Sequence, residues 1–175
     1  MGTAGRSLVL GFFFMLPFAP IRPSAPPETL EELQRRFDNE LDGVNKAKLL
    51  QKLGNAQFQR EREAQQAGDF ETAGFIMEKY RDNVRAAFEA VKKSHPDAEK
   101  HPSGYKQLEA HVDTGIREVN DLLGAVPEPY RPPLQIVKAD LLKIDRELLR
   151  MLFPRRPAEK QSPSKSAPQA MEKKP

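Results

Sequence analysis

The chain has 175 residues, a net charge of +3, sixteen prolines, no tryptophan and no cysteine. That length suits one ordinary domain. The missing cysteines exclude a disulfide framework, a thiolate metal site, an iron–sulfur cluster and a cysteine nucleophile. Proline removes a helix hydrogen bond and so punctuates the chain. Ten prolines fall in the two ends, and the stretch from Glu28 to His95 has none.

Residues 1–19, MGTAGRSLVLGFFFMLPFA, open with Arg6 and continue as an apolar run. The run has the length of a signal-peptide core and is shorter than the ~17–25 residues a membrane span needs. It predicts export to a periplasmic or cell-envelope location, although Ala19 and Ala25 are each followed by proline, a poor residue after a cleavage site. The following IRPSAPP is a proline-rich linker, so residues 1–27 are set apart from the fold. A lipoprotein anchor is excluded for want of cysteine.

From Glu28 the pattern is helical. Leu30, Leu33, Phe37, Leu41 and Val44 recur at three- and four-residue spacing, which predicts an amphipathic helix over 28–42. Gly43 follows. The segment either runs on as one helix or breaks there and folds back. A second helix is expected over 45–67, with Ala47, Leu50, Leu53, Gly54, Ala56 and Phe58 on its apolar side. Gly68-Asp69 reads as a helix–helix turn: Gly supplies the left-handed position and Asp69 the next N-cap. The third helix, 70–94, carries Phe70, Ala73, Met77, Tyr80, Val84, Ala87, Phe88 and Val91. It ends at Lys92-Lys93 and His95-Pro96.

Ser103 is the expected cap of a fourth helix, 103–124, closed by Gly124. Pro132-Pro133 suits the first turn of a fifth, 132–152, with a stripe of Leu134, Val137, Leu141, Ile144, Leu148 and Leu152. No stretch alternates with period two, so no sheet is expected. The fold class is therefore all-α: an antiparallel bundle of four helices with 28–42 as a coiled-coil-like N-terminal extension. Residues 154–175 are rich in Pro, Ser and Lys and read as a disordered basic tail. The two ends carry net +6 and residues 28–153 net −3, so the basic balance does not argue for nucleic acid.

Two resemblances follow from these segments. Residues 64–73, AQQAGDFETA, resemble the inter-helix turn of a tetratricopeptide repeat, which implies a tight αα-hairpin. Outside the turn the chain departs from that repeat at Gln57, Arg60 and Tyr80. The signal-like start, the KLGNAQF stretch (52–58), YRDNVRAA (80–87) and DRELLRMLFP (145–154) together resemble uncharacterised exported bacterial helical proteins. That likeness implies a helical fold and no particular activity.

Chemistry-bearing residues are sparse. His95, His101 and His111 would have to converge with Asp97, Glu99 or Asp113 to hold a metal. They read instead as solvated loop and surface groups, and no metal or cofactor is expected. Ser94 and Ser103 lack a nucleophile elbow and an oxyanion loop. Glu61 with Glu63, and Asp140 with Asp145, are interleaved with cations as on solvated helix faces. No catalytic residue is assigned. Phe58, Phe70, Tyr80 and Phe88 read as core, and Tyr80 with Arg81 and Arg85 as a surface feature. The expected function is a non-catalytic binding or structural module of the envelope, or else an adaptor of a membrane-associated complex. Self-association or a protein partner would use the 28–42 helix, membrane contact the N-terminal segment or the basic tail.

Overall fold

A computed structural model describes residues 28–154. The expectations for residues 1–27 and for the tail from 155 onward lie outside the described residues. The described chain is all-α: α1 (Leu30–Asn39), α2 (Gly43–Gln66), α3 (Phe70–Ser94), α4 (Pro102–Ala125) and α5 (Arg131–Leu152), with a short 3-10 turn at Glu128–Tyr130. The five helices pack on one another around a core that includes Leu50, Phe58, Met77, Tyr80, Phe88, Leu108, Leu134 and Leu141. Among the described residues no strand occurs, and no helix is long and apolar enough to cross a membrane.

The local chemistry explains the boundaries. Thr29 Oγ1 accepts from the Glu32 backbone N–H at 3.2 Å and starts α1. Glu40 has extended backbone and ends it. Asp42 then accepts from Asn45 N–H at 2.8 Å, so α2 begins at Gly43, two residues earlier than the apolar spacing suggests. The chain therefore breaks at 40–42 and does not run on as one long helix. Gly43 sits where α2 meets the end of α3: a Cβ there would lie 2.6 Å from the Ala90 carbonyl oxygen. Leu41, expected in the α1 stripe, falls in the break and is 90% exposed. Leu33 and Phe37 are buried in the core of this same chain.

Gly68 has φ +76°, with Asp69 N–H bonded to the Ala64 carbonyl at 2.9 Å and Gly68 N–H to that of Gln65 at 3.0 Å. This is the Schellman pattern. Asp69 accepts from Thr72 N–H at 3.0 Å and caps α3. At α4 the sequence expectation fails. Pro102 occupies the first turn, His101 is the N-cap without a side-chain bond, and Ser103 lies inside the helix. Gly124 also lies inside α4, which ends at Ala125 with the extended Val126 as its C-cap.

Contacts along the helices give their directions. The start of α2 meets the end of α3, where Gly43 N–H bonds Ser94 Oγ at 3.2 Å, so the two are antiparallel. Arg62 of α2 meets Glu118 of α4, while Arg85 and Lys92 of α3 meet Asp140 and Glu147 of α5. Gly54 also approaches His111, so α2 and α4 meet at offsets of 57 and 56 positions and run parallel, as α3 and α5 do with both of their pairs 55 apart.

Candidate functional site

Polar residues interrupt the apolar face of α2 at Gln57 and Glu61, which are each 2% exposed. A buried polar group costs free energy unless it is partnered, so each position calls for a reason.

Gln57 floors a groove between α1 and α3 that encloses about 580 Å³. Leu30, Gln34, Phe75 and Ile76 line it, with Arg35 and Lys79 at its rim. Below it runs a chain of amides. Gln34 Nε2 donates to Asn83 Oδ1 at 3.1 Å, and Asn83 Nδ2 donates to Gln34 Oε1 at 3.0 Å and to Gln57 Oε1 at 3.5 Å. Gln34 Nε2 also donates to Asp38 at 2.8 Å. The long Asn83–Gln57 contact leaves the Gln57 amide weakly bound at the groove floor. Phe75 on the rim is 66% exposed.

Deeper, the Tyr80 ring stands between α2 and α4. A Cβ on Gly115 would lie 2.3 Å from that ring, and one on Gly54 would lie 2.1 Å from His111 Nε2. Only glycine admits these approaches. Tyr80 Oη donates to the His111 carbonyl at 2.9 Å, and Phe58 packs on the tyrosine with ring centroids 4.7 Å apart. His111 Nε2 has no partner among the described residues. Burial lowers the imidazole from 6.5 to about 4, against a smaller upward pull from the Leu50 backbone. The Tyr80 hydroxyl is driven well above its ordinary value, first by burial and then by Glu118.

Glu61 lies farther along α2. Its Oε1 has no partner among the described residues. Burial, then the Glu118 charge, raises its carboxyl from 4.5 to about 7; Arg62 pulls down and Asp121 adds to the rise. Arg62 itself is spent on both Glu118 oxygens at 2.9 Å.

These positions correct several sequence expectations. His111 is a core residue and not a surface one. Tyr80 is fully buried and not a surface feature, whereas Arg81 and Arg85 pair with Asp82 and Asp140 near the surface. Glu61 does not belong to a solvated face, although Glu63 does, paired with Arg60 at 3.0 Å. Asp145 is partly buried, and its carboxyl is raised by burial and by Asp113. His95 and His101 stack with centroids 5.2 Å apart, remote from the His111 ring on Phe58 and Tyr80. No group of three or more His, Asp and Glu suited to a metal ion occurs among the described residues. Ser94 is structural: its hydroxyl donates to the Ala90 carbonyl at 2.9 Å.

Sequence reasoning missed the amide chain. The signal was present: Leu50, Gly54, Gln57, Glu61 and Ala64 continue one helical stripe, so polar side chains there were bound for the interior. The fold and site define a class, an all-α domain of five helices packed on one another, with unpaired polar groups in its core. No family model, no curated protein and no solved structure matches the chain.

Proposed function

We propose that the protein is an exported helical-bundle protein acting as a non-catalytic binding or structural module of the cell envelope. The observation that carries the binding half is the α1–α3 groove, whose 580 Å³ falls within the range of small-ligand pockets and whose floor is a weakly held amide. Export rests on the sequence of residues 1–19 alone. On this reading α2 to α5 form the four-helix bundle, antiparallel within each hairpin, and α1 is the extension that walls the groove.

The second reading, an adaptor for a membrane-associated complex, rests on Phe75, a large apolar side chain left 66% exposed in the lining of this groove. Two measurements test the proposal. Mass spectrometry of the native envelope fraction must find the chain there; recovery only from the cytoplasm overturns export. A fragment screen followed by amide chemical shifts must move Gln34, Gln57 and Lys79 together; hits scattered over the surface overturn the groove. Co-purification of a stoichiometric membrane complex favours the adaptor.

A further inference from the structure

A second groove lies on the other side of Phe75, between the first half of α3 and the 3-10 turn, and encloses about 440 Å³. Its walls are Phe70, Phe75, Pro129 and Tyr130, with Glu71 and Glu78 along one edge. The Phe70 and Tyr130 ring centroids are 5.7 Å apart and tilted, so the two rings pack on each other and form one aromatic wall of the groove. Tyr130 is 40% exposed, and neither Glu71 nor Glu78 has an ion-pair partner among the described residues. Aromatic troughs of this composition suit polyproline II segments, which arrive preformed and cost little ordering entropy.

The spacing of the charges sharpens the ligand. Glu71 and Glu78 are seven residues apart on α3, on one face and about 10 Å apart along the axis. A polyproline II segment repeats every three residues, or about 9 Å. Cations at positions i and i+3 of such a segment would therefore face both carboxylates while the prolines between them pack on the aromatic wall of the groove. We infer that this groove is a docking site for a partner protein's proline-rich segment carrying basic residues three apart. It is separate from the α1–α3 groove apart from the shared Phe75.

The test is fluorescence anisotropy of the full chain with a labelled PPRPPRPP peptide, beside GGRGGRGG and PPEPPEPP, with amide shifts to locate the contact. The expected result is binding of PPRPPRPP at least about fivefold tighter than either control, with shifts at Phe70, Gly74 and Tyr130. Tyr130→Ala and Phe75→Ser each weaken it at least about fivefold, both being surface positions that leave the fold intact by circular dichroism. The Glu71→Lys, Glu78→Lys double variant abolishes it. Four results overturn the proposal. GGRGGRGG binds as well as PPRPPRPP, which is plain charge attraction. The Tyr130→Ala and Phe75→Ser chains bind unchanged, or no chain binds. Alternatively, Arg22→Glu in the full chain tightens peptide binding about fivefold or more, which assigns the groove to the chain's own PIRPSAPP.

Discussion

Glu61 and His111 each pass into the core without a partner for one polar atom, and their pKa values move in opposite directions, to about 7 and about 4. A carboxyl held above its unfolded value stabilises the fold fully below about 4.5, and that contribution is lost as pH rises toward 7. An imidazole held below its unfolded value contributes fully above 6.5, and that contribution is lost as pH falls toward 4. Across the shared window the two slopes oppose, so urea stability of the native chain is expected to change little between pH 4.5 and 6.5. Each single variant uncovers the other slope. Glu61→Gln is expected to lose stability on acidification and His111→Gln on alkalinisation, each by about 1.4 kcal/mol per pH unit at most. Parallel slopes in both variants would remove the assignment.

The glycines beside these groups make a second residue-scale prediction. Gly115→Ala drives a methyl into the Tyr80 ring and should cost about 1–3 kcal/mol. Gly74→Ala, on the same fold but with open space at its Cβ, should gain about 0.5–1 kcal/mol by helix propensity. Denaturant melts of both variants check the pair. Equal effects would mean that the Tyr80 slot relaxes freely.

Among the elements, caps decide where helices begin, and they divide what was legible from what was not. The Gly68-Asp69 turn could be read directly, because a left-handed glycine and an aspartate cap are local chemistry. Asp69→Ala should cost about 1 kcal/mol and Ser103→Ala close to nothing, measured by thermal unfolding. The cap at Ser103 failed because a cap is chosen by backbone path. His95, Pro96 and the Asp97 turn bring the chain to Pro102, which starts α4 with its fixed φ. The break at 40–42 was visible only as two alternatives, since Gly43 serves a close approach to α3 that no local pattern encodes. The groove amides escaped notice for a related reason. Gln57 stands out in the sequence only as a departure from the repeat pattern, although its place seven residues after Leu50 on one stripe puts it inside.

For the molecule as a whole, the helix count followed from periodicity, but the packing of the helices on one another did not. Apolar stripes say which face is buried and leave open which neighbour buries it. The 55- and 56-residue offsets rest on Arg62–Glu118, Arg85–Asp140 and Lys92–Glu147, pairs that only three dimensions reveal. One consequence is uneven stability. α1 has ten residues, too few to persist alone in water, and two buried side chains, Leu33 and Phe37, hold it down. Native-state hydrogen exchange is expected to find the α1 amides opening together well below the energy of global unfolding, with those around Tyr80 and Leu108 opening last. Phe37→Ala should speed α1 exchange by at least about tenfold and leave α5 unchanged. Uniform protection would contradict the arrangement.

The two ends of the described chain leave the stack at different heights. Leu30 lines the α1–α3 groove at the level of Ile76, near the first turns of α3, while Pro154 lines a surface recess with Pro96 and Ala98, past its last turn. About 28 Å of helix axis separates those levels. A pull on residues 28 and 154 is thus directed along the helices and not across them. Extension under such a load must slide α1 and α5 lengthwise against their neighbours, so whole rows of packed side chains and the Arg85–Asp140 and Lys92–Glu147 pairs give way together, as in a lap joint and not a zip.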